Sequence, residues 1–327
     1  MLLAGDIGGT KALLALFEGG AARFERRYAC GEFESFEALL ARFCADASCA
    51  LGAPPELERA SLGVAGPVSG ARARITNLAW EIDAKDFGIA QVRLLNDLEA
   101  SAHGLDTLRA GDLATLQRGA PLEAAPRLLI GAGTGLGVAF VVGSGRNLRV
   151  VAGEGGHAAF APADDLQDAL WRRLRPALGR VELEHVVSGA GLARIYAFLR
   201  DSGRYAESAA SRAALAAGDP APAITRAALE SGDALALAAL DLFIACYGAA
   251  AGDLALAVLA RGGVYLTGGI VPKILPRLRA GGFVAAFNAK GAFADAARAC
   301  PVHVVTNERL GLLGAVAAAG DRAHRNP

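Results

Sequence analysis

The chain opens with short aliphatic runs broken by glycines. Leu2-Leu3-Ala4 and Ala12–Leu16 flank Gly8-Gly9, a pattern that predicts strand, tight turn, strand. Phe36, Leu39, Leu40 and Phe43 then fall on one helical face, with Ser35 placed to cap the helix. Beyond the "GAPP" break, "RASLGVAGPV" predicts a strand, and "QVRLLND" a strand running into the helix "LEASAHGL". Residues 110–125, "AGDLATLQRGAPLEAA", are turn-rich and predict the crossing into a second domain. "RLLIGAGTGLGVAFVV" then repeats the opening design of strand, glycine turn, strand. Helical patterns dominate from 165 to 260, followed by "GGVYLTGGIVPKIL" as strand, glycine stop and helix. "PVHVVTNERLGLLGAVAAAG" supplies one more strand and a closing helix. With no short-period repeat, the order of elements predicts an α/β protein with two similar halves.

The most apolar stretch, "LALAALDLFIACYGAAAGDLALAVLA", is interrupted by Asp241 and Asp253. Leu240, Ile244, Tyr247, Ala251, Leu254 and Val258 recur in it at three- and four-residue steps. That spacing predicts a buried helix rather than a membrane span. Composition agrees, with 53% hydrophobic and 20% charged residues in 327. A formal net charge of zero without long charged blocks points away from nucleic acid and from anionic membranes. The five cysteines form no CxxC pair, which fits reduced thiols in a cytoplasmic protein. An acid at position 6 and no basic leader disfavour a signal peptide.

The two glycine turns carry the first candidate chemistry. "GDIGGTKA" lacks the spacing and the following helix of a P-loop. In "GAGTGLG" the position of the third dinucleotide-fingerprint glycine holds Leu136, and "VAFVV" reads on as strand. What remains is a hairpin tip whose backbone amides can meet a phosphate unhindered by Cβ atoms. Thr10 and Thr134 offer hydroxyl donors, and Asp6 offers a carboxylate suited to magnesium, directly or through water. A lone Gly-Gly hairpin is most often only a turn; two with polar tips suit two phosphate groups.

Asn96 and Asp97 stand where a strand gives way to a helix. Helix capping is the plain explanation for both. The functional one is a carboxylate at a strand's carboxyl end that accepts a substrate hydroxyl's proton, with Asn96 beside it for neighbouring hydroxyls. In "GEGGHAAF", Glu154 and His157 have metal-helix spacing, but the intervening glycines and the lack of a second copy disfavour a metal site. A loop offering one carboxylate and one imidazole suits a polyhydroxylated ligand. Glu184, just before "HVVSGAG", carries no local signal of its own.

Taken in order, "GDIGGT", "GVAGPV", "ITNLAW", "LLNDLEA", "GAGTGLGVA", "GEGGHAAFAP", "VVSGAGL", "GGVYLTGGIVPKIL" and "LGLLGAV" resemble the bacterial ATP-dependent glucokinases. These belong to the superfamily of hexokinase, actin and the heat-shock chaperones. The resemblance implies an actin-like ATPase (ribonuclease H-like) α/β fold. Its small domain would span 1–109 with 308–327, its large domain 110–307, and a cleft would hold glucose and ATP. By that resemblance Gly5, Asp6, Ile7, Gly8, Gly9 and Thr10 form the first phosphate loop, with Asp6 on the Mg2+ side. Gly133, Thr134 and Gly135 form the second loop, and Gly268 and Gly269 receive the adenosine. Asp97 is the catalytic base, and Asn96, Asp97, Glu154, His157 and Glu184 hold the sugar. The family also implies a cytoplasmic homodimer. Three stretches depart from the pattern: Lys11 replaces a frequent Asn, Leu78 and Ala79 alter the usual "TNHTW", and "FAPADDL" stands where related sugar kinases carry a cysteine-rich zinc motif. A kinase for another hexose or N-acetylhexosamine is the nearer alternative, and a sugar sensor without turnover the more distant one.

Overall fold

The computed structural model describes residues 1–76 and 78–321; Asn77 of the "TNLAW" stretch and residues 322–327 of the expected small domain lie outside them. The chain divides into two compact units, Met1–Ala110 with Asn307–Pro327, and Gly111–Thr306.

The first unit is built on strands β1 (Leu2–Ile7), β2 (Lys11–Glu18), β3 (Ala21–Ala29) and β4 (Arg59–Val64). Two-residue and three-residue strands β5 (Val68–Ser69), β6 (Arg72–Arg74) and β7 (Glu81–Asp83) form a small sheet of their own, and β8 (Gln91–Asn96) completes the main one. The main sheet runs β3-β2-β1-β4-β8, antiparallel through β1–β2–β3 and parallel through β1–β4–β8. β1 and β2 are covered on both faces, which explains their unbroken aliphatic runs. Leu3, Leu14 and Leu16 pack with Phe36, Leu39 and Phe43 of the helix Phe36–Leu51. Ser35 caps that helix as expected, accepting the Ala38 amide proton at 3.3 Å. Leu2, Ala4, Leu13 and Ala15, alternating with the first set, pack with Leu312 and Ala315 of the helix Leu310–Asp321. This closing helix crosses the helix Asp97–His103 so tightly that a Cβ on Gly314 would fall 1.7 Å from the Ala100 carbonyl oxygen.

The second unit repeats the plan. Its strands are β9 (Leu113–Gln117), β10 (Arg127–Ala132), β11 (Leu136–Val142), β12 (Arg149–Gly153), β13 (Gly263–Thr267) and β14 (Val302–Val305). They lie in the order β12-β11-β10-β13-β14-β9, so the hairpin β10–β11 pairs onward through parallel β13 and β14, with β9 added antiparallel at the edge. The turn-rich stretch expected to be a crossing therefore also contributes a strand.

The helix Ala234–Val258 forms the centre of this unit's core. It is long and apolar enough to cross a membrane, and 72% of its most apolar stretch is buried within the structure. Burial extends well beyond the single stripe that its periodicity marks. Gly248 and Gly252 admit the helix Gly282–Asn288, since Cβ atoms there would lie 2.3 Å from the Phe283 carbonyl oxygen and 2.5 Å from that of Phe287. Tyr247, fully buried, sends its hydroxyl to the Ile130 carbonyl at 3.0 Å, which anchors the helix to β10 and satisfies the buried phenol.

Candidate active site

In the first unit the parallel strands finish level: Ile7 pairs with Val64, and Val64 with Asn96. Their carboxyl ends bring the β1–β2 turn and Asn96-Asp97 to one side, the usual place for a ligand in such sheets. The Gly8 amide donates to the Lys11 carbonyl at 2.9 Å and closes the turn. Gly8 and Gly9 are partly exposed and Thr10 is exposed, so the tip is accessible. Gly5 and Ile7 are buried; a Cβ on Gly5 would lie 2.6 Å from Leu62 and 2.7 Å from Leu14. The absent side chain at Gly5 therefore serves the packing of the sheet.

Asp6 is half-buried beside the turn, and the first turn of the closing helix presses on it. A Cβ on Gly311 would stand 2.6 Å from its Oδ2. Burial first, and the charge of Asp97 second, push the Asp6 carboxyl up to about 7, against the opposing pull of Arg27. A cavity of about 150 Å³ opens here, lined by Asp6, Gly8, Lys11, Leu13, Arg27 and Glu308. Asn96 carries out the capping role: its Oδ1 accepts the Leu98 amide proton at 3.0 Å and its Nδ2 donates to the Gly66 carbonyl at 3.3 Å. Asp97 Oδ1 accepts from the same amide at 2.9 Å, so both residues shape this helix start.

The second unit gathers the remaining candidates around the end of β10 and the start of β11. The Gly133 amide donates to the Gly135 carbonyl at 2.9 Å within the second turn. Gly268 has φ +93°, and a Cβ there would strike the Ala132 carbonyl oxygen at 2.4 Å, so only glycine fits. A Cβ on Gly133 would lie 3.9 Å from the Gly269 amide nitrogen, which places the second turn and the glycine pair side by side. Thr134 stands exposed at the tip.

The turn Gly155–His157 is pressed onto β11, since a Cβ on Gly156 would come 2.0 Å from the Leu136 carbonyl oxygen. That contact delivers Glu154 and His157 to the same end of the strand. Glu184 arrives from the turn Leu183–His185, and its Oε2 accepts the Leu136 amide proton at 2.8 Å.

Glu182 was not singled out by sequence, yet it holds the His157 ring through an Nδ1–Oε2 contact of 2.8 Å. Its only signal was its place two residues before Glu184 in "VELEHVV". The Glu182 bond, with the charges of Glu184, Glu182 and Glu154, raises His157 above the ordinary 6.5, against the effect of burial. Glu154 stands 3.9 Å from His157 Nε2 and is largely exposed.

Among the described residues, no three His, Cys, Asp or Glu side chains converge into a protein-only metal cage. Asp6 is instead the kind of carboxylate donor that magnesium uses when water and substrate oxygens complete its shell. Burial is the first cause of the raised Asp6 value and the charge of Asp97 the second, so a cation held beside Asp6 would favour its ionised form. The residues therefore fit the ion. A larger cavity of about 530 Å³ near Leu116, Arg279 and Asn288 contains none of the candidate residues.

The family model described as Glucokinase matches residues 3–322. The glucokinase of Synechocystis sp. is 40% identical over 345 residues, covering 97% of this chain and 97% of that protein. That of Nostoc sp. is 39% identical over 338 residues, with 96% and 97% covered. The solved glucokinase structure from an Antarctic psychrotroph superposes with a TM-score of 0.82 at 29% identity, covering 98% of both chains.

Proposed function

Because the chain belongs to the glucokinase family, we propose a division of labour among its residues for the transfer of the γ-phosphoryl group of ATP to glucose. The enzyme is an ATP-dependent hexose kinase with the actin-like fold. The product is glucose 6-phosphate, formed when the sugar's 6-hydroxyl oxygen attacks the γ-phosphorus and ADP leaves.

In this reading Asp97 takes the proton of the attacking hydroxyl. The observation that carries the assignment is its station: Asp97 follows β8 at the strand end that also holds the β1–β2 turn, and its charge is felt by Asp6. Asp6, directly or through water, would hold magnesium, with Asp97 contributing negative charge nearby. Bound magnesium supplies positive charge to the phosphate oxygens. The amides of Gly8, Gly9 and Thr10, and those of Gly133, Thr134 and Gly135, serve as fixed donors to the phosphates. Gly268 and Gly269 let the adenosine approach the backbone without a side chain in the way. Asn96, Glu154, His157 and Glu184 hold sugar hydroxyls, with His157 oriented by Glu182. A homodimer belongs to the same reading and would be seen by sedimentation at assay concentrations.

The deciding experiment is sugar-dependent ADP release from MgATP across a panel of hexoses, with Asp97→Asn as control. Release with glucose that the variant loses supports the assignment. A variant with near-normal turnover overturns the role of Asp97, and preference for another hexose would redirect the roles of the sugar-binding residues.

A further inference from the structure

One carboxylate oxygen of Glu184 is tied to the second glycine turn. Oε2 accepts the Leu136 amide proton at 2.8 Å, and a Cβ on Gly135 would lie 2.5 Å from that same oxygen. The carboxylate is thus pressed against the second glycine turn. A second tie runs beside it: the Gly189 amide donates to the Gly133 carbonyl at 2.9 Å, and Ser188 Oγ donates to the Glu184 carbonyl at 2.7 Å. The segment from Glu184 to Gly189 therefore grips the turn at both ends, Gly133 and Leu136.

The turn needs such a grip. Its own closure is the Gly133–Gly135 bond, and glycines are the residues whose backbone costs most entropy to fix. Amides that are to meet a phosphate must be held in place beforehand, and a hydrogen bond to a carboxylate is stronger than one between neutral groups. We propose that Glu184 is a positioning residue for the nucleotide as well as a ligand of the sugar: Oε2 holds the Gly133–Leu136 turn in its phosphate-accepting form while Oε1 serves a sugar hydroxyl. The sugar half rests on the glucokinase reading; the bracing half rests on the contacts of this chain. One side chain then joins two ligand sites. A sugar that orders Glu184 also orders the turn, and by linkage a nucleotide that orders the turn favours the sugar equally.

The test uses Glu184→Ala, Glu184→Gln and His157→Ala, each checked for native circular dichroism. The dissociation constant of AMPPNP is measured without sugar, and that of glucose without nucleotide. Glu184→Ala should weaken sugar-free AMPPNP binding by about fivefold or more, the lower end of typical coupling effects. Glu184→Gln should retain most of that affinity, because its amide oxygen can still accept the Leu136 proton. His157→Ala should weaken glucose binding and leave sugar-free AMPPNP binding unchanged. Unchanged AMPPNP affinity in a folded Glu184→Ala overturns the proposal.

Should the alanine variant not fold, amide exchange in Glu184→Asp decides, since the shorter side chain draws the carboxylate away from Leu136. Faster exchange at Leu136 supports the brace, and an unchanged rate overturns it. Failure of the sugar reading would look different: the Glu184 and His157 variants would keep wild-type glucose affinity whatever their AMPPNP affinity.

Discussion

The two units share one sheet plan and treat their glycine turns differently. In each, a hairpin pairs antiparallel on one side and continues through two parallel strands on the other. In the first unit the turn lies beside the ionisable pair Asp6 and Asp97, with Arg27 and Lys11 at the same cavity. In the second, the turn is tied by Glu184 and the Gly189 amide, and His157 beside it is tied by Glu182. The acid beside the first turn is raised by burial and by a neighbouring charge; beside the second, Glu184 and Glu182 are hydrogen-bonded. The same backbone design is thus surrounded by differently placed acids in the two units.

The largest expected effect separates the halves by rate. Asp97→Asn should lower kcat by about 10²–10⁴-fold, the usual contribution of a general base, whereas Glu184→Gln should act mainly on the KM for glucose. Steady-state kinetics on both variants checks this, and equal loss of kcat in the two would erase the distinction.

Next comes a contrast between glycines of the second unit. Gly268→Ala should destabilise by about 1–3 kcal/mol, because it combines a left-handed backbone with a collision against Ala132. Gly133→Ala meets nothing nearer than Gly269 at 3.9 Å and should change stability by less than about 0.5 kcal/mol while raising the KM for ATP. Urea unfolding beside kinetics distinguishes a packing glycine from a ligand-facing one.

A smaller effect tests the raised Asp6 carboxyl of the first unit. Asp6 titrates near 7 when folded against 3.8 ordinarily, so its ionisation opposes folding increasingly as pH rises between those values. Asp6→Asn should therefore raise the melting temperature of the ligand-free protein by a few degrees at pH 8, with the gain vanishing below pH 3.8. The same variant should lose MgATP turnover. A lower melting temperature at pH 8 would show that the carboxylate is stabilised rather than strained.

The smallest effect lies in the second unit. His157 is raised by Glu182, so the stability of this pair is fully present below pH 6.5 and fades as pH rises through the higher folded value. The pH profile of the KM for glucose should break above 6.5 in the parent enzyme and move toward 6.5 in Glu182→Gln. An unmoved break would mean that Glu182 does not set the ring's charge.

Much of this was legible in residue patterns. Both hairpins, the helix capped by Ser35 and the strand-to-helix junction at Asn96 follow from apolar runs and turn residues that agree locally. The edge strands β3 and β12 were missed because they are mostly exposed, and β9 because only Ala114 and Leu116 of its five residues face the core. The small sheet was missed because its strands have only two or three residues. Site residues divide in the same way. Asp6 and Asp97 announce themselves through the turn and junction they occupy, whereas Glu182 and Glu184 matter through contacts made across unit 2, which no local window contains.

The closing helix gives the first unit an order of completion. Arg27 finds Glu308 281 residues away, Arg309 reaches Glu25 across 284, and Gly311 presses on Asp6. A ribosome releases the first hairpin early, but its surroundings are finished only once the helix beginning at Leu310 has emerged. Residues 111–306 form a contiguous unit. A nascent chain therefore carries its first glycine turn without these contacts through most of its synthesis, and a copy clipped before Leu310 would lack the contact on Asp6.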